Sequence, residues 1–259
     1  MRENRMKAMW RRGEATFGGW LTIANSLSAE AMARQGYDYI CIDMQHGGID
    51  YSDALPMLQA ISQTDATPVV RVPWNEPGII MKMLDAGAMG IIIPMVNSVD
   101  EARAAVAACR YFPDGVRSYG PVRAAHYAGT DYYLHANAEV ACIPMIETKQ
   151  AVERLDDILA VPGIDAVYVG PADLSITLGL PPGLDNPGAF EEARLRIAAG
   201  CRARGITAGM HASPALAQKH IDAGYRMVTL GVDLNMLVAS AAADVASVRG
   251  VKATIAPEL

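Results

Sequence analysis

Residues 142–175 read CIPMIETKQAVERLDDILAVPGIDAVYVGPADLS, and this stretch decides the fold. An apolar strand ends at Glu147, a helix covers Lys149–Leu159, and a second apolar strand, Ala166–Val169, opens into GPADLS with Asp173. Two such strands joined by one helix form a βαβ unit, because parallel strands need a crossover of this kind. Their carboxyl ends face the same way. Glu147 and Asp173 then lie just past neighbouring strand ends, where two carboxylates converge on a space suited to a hard divalent cation.

Outward from this unit the same alternation continues. Thr16–Ile23, Tyr37–Asp43, Thr67–Val72 and Gly90–Ile93 read as strands one to four, Val140–Ile146 as the fifth, and Ile206–Gly209 and Met227–Gly231 as the last two. Helices are expected over Ser28–Gln35, Asp50–Gln63, Pro77–Ala86, Asp100–Cys109, Tyr132–Ala138, a segment ending at Arg204, Pro214–Ala223, and from Asp233 towards Arg249. Eight strand–helix units with short connections predict an α/β fold of the (β/α)8 TIM-barrel type, preceded by an N-terminal helix, as a single domain over residues 1–259. A doubly wound open sheet is the alternative, but no G-x-G-x-x-G turn follows the first strand. The one long irregular stretch, Phe112 to Gly129, holds Arg117, Tyr119, Arg123 and His126, and a loop of that length is expected to serve function.

Composition narrows the class. Apolar residues make up 51% of the chain and charged ones 19%, which excludes disorder, and the net charge of -6 offers no basic face for nucleic acid. The start, MRENRMKAMWRRGE, breaks its apolar residues with charge, so it lacks a signal-peptide core, and no later run reaches the about 18 apolar residues of a membrane span. Cys41, Cys109, Cys142 and Cys201 are far apart with no C-x-x-C spacing. Buried reduced thiols in a cytoplasmic protein are the expectation.

In a barrel the active site lies at the carboxyl ends of the strands. Asp43 and His46 fall there after strand two, Arg71 at strand three, Glu147 after strand five and Asp173 after strand six. Singly, each has a plain explanation: Glu147 and Asp173 as helix-start residues, His46 as a turn residue before Gly47 and Gly48, Arg71 as half of an ion pair. Together at one rim they describe a chemistry. Two carboxylates and several waters suit Mg2+ or Mn2+. A 2-oxo acid fills open positions on such a cation, which favours the enolate left when a proton leaves C3. Arg71 would hold the substrate carboxylate, and His46, its ring oriented by Asp43, would act as general base or steer a water that does. Asp85, in the last turn of its helix, reads as an exposed acid. Lys7, Lys82, Lys149, Lys219 and Lys252 lie in helices or tails rather than on strands, which disfavours Schiff-base chemistry, and no G-x-S-x-G turn supports a serine nucleophile.

The segments IDMQHGGID, VVRVPWNEP, MLDAGAMGIIIPMV, CIPMIETKQAVERLDDILAVPGIDAVYVGPADLSITLG and LGVD resemble, in order and spacing, the HpcH/HpaI family of class II pyruvate aldolases. The DMQHG and RSYGPVRA runs are most similar to a branch that includes macrophomate synthase. The resemblance implies a barrel whose last helix is exchanged between subunits of a hexamer, a trimer of dimers. It also implies a Mg2+- or Mn2+-dependent aldolase, with Co2+ as a substitute, that interconverts 4-hydroxy-2-oxo acids with an aldehyde and pyruvate, hydroxypyruvate or oxaloacetate. By position, Glu147 and Asp173 match metal ligands, Arg71 the carboxylate-binding arginine, His46 and Asp43 the catalytic dyad, Gly170 and Ala172 the oxo-acid site, and Asp85 an acid that reaches a neighbouring subunit's site. Gln45 and Met145 depart from the family, which often has Glu and Gln there. Oxaloacetate decarboxylation or carbon–carbon ligation is the alternative activity, and a non-catalytic oxo-acid sensor is the alternative of another class.

Overall fold

The computed structural model describes residues 1–252. Eight parallel strands, β1 (Thr16–Leu21), β2 (Tyr39–Asp43), β3 (Thr67–Arg71), β4 (Gly90–Ile93), β5 (Ala141–Pro144), β6 (Ala166–Val169), β7 (Thr207–His211) and β8 (Met227–Val232), form one sheet in the order β5-β4-β3-β2-β1-β8-β7-β6. The end strands meet through one parallel bridge, Met145 to Tyr168, where the Ile146 amide donates to the Tyr168 carbonyl at 2.9 Å. The sheet thereby curls into the expected (β/α)8 barrel. Its closure falls within the βαβ unit that carries Glu147 and Asp173.

Alternation along each strand sorts the side chains into two sets. Outward residues such as Ile40, Ile42, Val70, Ile91 and Val167 pack under the helices. Inward residues Trp20, Tyr39, Cys41, Val69, Ile92, Ile143 and Tyr168 fill the barrel, and Met6 of the N-terminal helix (Arg5–Arg11) packs with them. Strands β2 to β6, covered on both faces, are buried at every position, as parallel strands should be, while the carboxyl end of β8 is only partly buried. Gly18 is required here: a Cβ at this position would fall on the Tyr39 ring, which lies across the barrel interior. The Tyr39 and Tyr168 hydroxyls share Thr229 Oγ1 at 2.9 and 2.6 Å, so the polar atoms in this apolar space are paired.

Local capping explains where the elements depart from expectation. Asn25 accepts from the Leu27 and Ser28 amides, so the first barrel helix begins at Ser26 rather than Ser28. The helix expected over Lys149–Leu159 breaks at Arg154 into Lys149–Glu153 and Leu155–Leu159. The stretch after Phe112 is not wholly irregular, because Val122–Ala128 is helical and Gly129, at φ 118, ends it. Its signal is short and flanked by Gly and Pro, which hid it. The β7 strand runs two residues further than the sequence suggested, to His211. All four cysteines are buried and free.

No helix among the described residues is long and apolar enough to cross a membrane. The last helix, Asp233–Arg249, buries only Asp233 and Ala246 and leaves Leu234, Leu237, Val245 and Val248 exposed. The Asp233 carboxylate pins its start to the end of β1, accepting from Thr22 N at 2.9 Å and Ile23 N at 3.3 Å.

His220, on the helix Pro214–Ala223, is fully buried, lies edge-on to Tyr225, and has an unpartnered Nε2. Burial, then the nearby Arg194 charge, push its imidazole down to about 4 from an ordinary 6.5. Between those values the unfolded chain binds a proton that the folded one does not, so stability falls as pH falls. The urea midpoint is therefore expected to drop between about pH 7 and about pH 4.5 by the equivalent of about 2 kcal/mol from this group alone. His220→Gln should show a shallower drop, and an equal drop in both proteins would contradict the assignment.

Candidate functional site

Pairing of β2 with β3 sets Asp43 opposite Arg71, both at inward positions at the carboxyl end of the barrel. The guanidinium closes on the carboxylate as a fork, with Nε donating to Oδ1 at 2.8 Å and Nη2 to Oδ2 at 2.6 Å. Trp20 Nε1 donates to Oδ2 at 3.1 Å, and the Gln45 and His46 amides donate to Oδ1 at 3.0 and 3.3 Å. Burial works against both charges, but their mutual hydrogen bonds and attraction outweigh it, lowering Asp43 and raising Arg71 from their ordinary values. The Arg71 guanidinium also lies 4.9 Å from the Trp20 ring centroid, which adds a cation–π contact.

The expected Asp43–His46 dyad takes a different form. Asp43 meets His46 through the backbone amide, and its oxygens are engaged by Arg71, Trp20 and two amides. Asp43 thus orients Arg71, while the His46 side chain stands exposed at the pocket mouth. Gln45 is half-buried, with its Oε1 buried and unpartnered.

Glu147 and Asp173 are both released from the helix-capping roles that the sequence allowed. Thr148 caps the helix after β5, its Oγ1 accepting from Ala151 N at 3.0 Å, so the preceding carboxylate is not spent on the helix start. Asp173 lies in the first turn of the helix Pro171–Thr177, whose N-cap is Gly170, and makes no side-chain cap bond there. Glu147 Oε1 accepts from Met95 N at 2.7 Å. Met95 holds a left-handed backbone, φ 58, to make that bond. Such a conformation costs on the order of 1 kcal/mol, and a hydrogen bond to a charged acceptor offsets it.

Glu147 Oε2 faces the Gly170 turn so closely that a Cβ at Gly170 would fall on it. Burial, followed by the charge of Asp173 and only partly countered by Met95 N and Arg71, pushes the Glu147 carboxyl up to about 7. A cation between the two carboxylates would relieve both costs. The donor set fits Mg2+ or Mn2+: oxygen only, with most positions left to water or substrate. No group of three or more His, Cys, Asp or Glu among the described residues forms a closed cage.

These residues surround a cavity of about 130 Å3, lined by His46, Arg71, Gly170, Ala172 and Asp173 together with Trp20, Met145, Tyr168, Leu184 and His211. Asp43 lies beneath Arg71, and Glu147 lies behind Gly170. Trp20, Tyr168, His211 and the Met95 amide were not singled out from sequence. Alternation could have found three of them, since Trp20, Tyr168 and His211 share the inward phase of Gly18, Ala166 and Gly209. The Met95 amide carries no side-chain signal.

Asp85 is not part of this cluster within one chain. It ends the helix after β3, hence at the opposite rim, where its Oδ1 accepts from Arg117 Nη2 at 2.7 Å. The Arg117 guanidinium stacks on Tyr111 at 4.4 Å and bonds the Tyr132 hydroxyl. Arg123 bonds Ala86 O and Ser62 Oγ. Within one chain, therefore, the arginines of the long connection tie it to the helices and do not line the pocket.

A profile of the family HpcH/HpaI aldolase/citrate lyase matches residues 16–240. Hydroxypyruvate/pyruvate aldolase of Rhizorhabdus wittichii is 41% identical over 251 residues, 95% of this chain and 99% of that protein. 4-hydroxy-2-oxo-heptane-1,7-dioate aldolase of Salmonella typhimurium is 40% identical over 93% of each chain. Among solved structures, an HpcH/HpaI aldolase/citrate lyase family protein from Burkholderia cenocepacia superposes with a TM-score of 0.89 at 36% identity, covering 95% of this chain and 99% of that one. Macrophomate synthase superposes with a TM-score of 0.84 at 27% identity over 95% and 88%.

Proposed function

This chain belongs to the HpcH/HpaI aldolase/citrate lyase family, and on that footing we propose that it is a divalent-metal-dependent aldolase that makes and cleaves 4-hydroxy-2-oxo acids through a pyruvate enolate. The observation that carries the reading is that a buried, carboxylate-anchored arginine and Asp173 line one pocket, with the buried Glu147 carboxylate behind its Gly170 wall and near enough to Asp173 to feel its charge. Glu147 and Asp173 would hold the cation, which when bound polarises the keto group of the oxo acid.

The rest is the work of the chain itself. Asp43 occupies Nε and Nη2 of Arg71, which leaves Nη1 to receive the substrate carboxylate in a fixed direction. Gly170 and Ala172 bring backbone close to the bound oxo acid, with no Cβ at Gly170 to intrude. His46, at the mouth, takes the C3 proton directly or through a water. The pair of electrons left at C3 then forms the bond to the aldehyde carbon, and the aldehyde oxygen gains a proton; cleavage is the reverse. Trp20 and Met145 give the pocket apolar walls that exclude water from the enolate.

The test is exchange of pyruvate C3 protons in D2O followed by NMR, with pyruvate release from a 4-hydroxy-2-oxo acid assayed in parallel. Both should cease after metal stripping and return with Mg2+, Mn2+ or Co2+. Undiminished exchange in stripped protein would refute the reading. A second activity, oxaloacetate decarboxylation coupled to addition of the enolate to an electrophile, is favoured by Met145, which replaces a polar amide with an apolar wall, and by the likeness to macrophomate synthase. A hexamer with an exchanged last helix is part of the proposal; the exposed apolar residues of Asp233–Arg249 support it. Asp85, paired with Arg117, would act in that assembly at a neighbouring subunit's pocket.

A further inference from the structure

The β7 strand ends on His211, whose ring faces the pocket. Its imidazole stands edge-on to Trp20, centroids 5.3 Å apart, and Nδ1 lies 3.5 Å from the Tyr168 hydroxyl. That hydroxyl is already engaged with Thr229. Arg71 and Asp173 are committed to the oxo acid and the cation, and His46 to the proton. His211 is the remaining polar side chain of the pocket without a task.

His211 and Leu184 also line a second cavity, about 190 Å3, that runs along the end of β8 and the start of the last helix. His211 therefore stands where the two cavities adjoin. Across both cavities Arg71 is the only arginine or lysine among the described lining residues, and Asp43 already holds two of its nitrogens. Burial, then the Arg71 charge, outweigh Asp43 and push His211 down to about 4, so its ring is neutral. Within one chain the walls therefore offer no second cation to an acceptor carboxylate, and Arg117, the guanidinium beside Asp85, is itself buried and held by Asp85 and Tyr132. A neutral imidazole offers one donor and one acceptor, which matches a hydroxyl. The main cavity is also small beside the roughly 300–1,000 Å3 of ordinary ligand pockets, so the acceptor must be short.

We infer that His211 selects the acceptor: it hydrogen-bonds the hydroxyl of a short hydroxyaldehyde, and the pocket disfavours aldehydes that carry a carboxylate. This rests on the aldolase reading above. The experiment measures kcat/KM for glycolaldehyde, acetaldehyde and succinic semialdehyde with pyruvate and Mn2+. The native protein should favour glycolaldehyde over acetaldehyde by about tenfold, the discrimination one hydrogen bond supplies, with succinic semialdehyde below both. His211→Leu should bring the glycolaldehyde-to-acetaldehyde ratio to about one, and His211→Gln, which keeps a donor and an acceptor, should retain part of it. The ratio is taken within each protein, so a general loss of activity cancels, and the native panel decides alone if a variant does not fold. Equal native values, a preference for succinic semialdehyde, or an unchanged ratio in His211→Leu overturns the inference. Pyruvate proton exchange needs no acceptor: if it occurs while the ratios fail, only this inference falls, and if it is absent, the aldolase reading falls with it.

Discussion

Changing Glu147 to glutamine is expected to lower pyruvate proton exchange and aldol cleavage by about a thousandfold or more. Glutamine keeps the shape of the side chain and an oxygen that can still accept from Met95 N, so the fold should be unaffected. What it loses is the charge that holds a divalent cation. Metal assistance is worth several kcal/mol of developing negative charge, and each 1.36 kcal/mol is about tenfold in rate. Mn2+ affinity, read by calorimetry, should collapse in the same variant while the thermal midpoint of stripped protein holds or rises, because a buried charge has been removed. Gly170→Ala should approach the same defect by a different route, since its methyl would displace Glu147 Oε2 without touching any charge. Native turnover in Glu147→Gln would rule out the proposed ligand.

Arg71→Ala combines a structural and a functional loss. It leaves Asp43 as a buried, uncompensated carboxylate, which costs about 3–5 kcal/mol of stability. It also removes the group offered to the substrate carboxylate. With hydrogen bonds to charged groups worth about 1.5–3 kcal/mol each, kcat/KM should fall by roughly a hundredfold to a thousandfold. The double variant Arg71→Ala, Asp43→Asn separates the two: urea unfolding should recover much of the lost stability, and activity should stay lost. Recovery of activity along with stability would mean that Arg71 serves only the fold. Arg71→Lys keeps a charge but not the fork, so it should also be poor with the oxo acid.

The barrel was legible in sequence because its strands are short apolar runs between breakers, and because their spacing left room for one helix each. The capping network was harder to foresee. Ile146-Glu147-Thr148 reads equally as an acidic helix start, and only the Thr148 bond to Ala151 N decides that the carboxylate is spare. Asp43 is legible, and sequence proximity puts His46 beside it, where the His46 amide indeed meets the carboxylate; strand register adds Arg71, a long-range fact that no local pattern encodes. His211 is hidden in the sequence because Gly209, a residue that ordinarily weakens strands, marks an apparent end of β7 two residues before the real one. The helix in Val122–Ala128 was hidden by its flanking Gly and Pro.

The barrel closes between β5 and β6 through a single bridge, where every other neighbouring pair is joined over several residues. The two carboxylates sit one on each side of that join, so the site is also the clasp of the fold. A cation held there would fasten the weakest hem of the sheet, and amide hydrogen exchange at Ile146 should slow when it binds. Catalytic readiness and closure of the barrel would then be one equilibrium, read at the same two side chains.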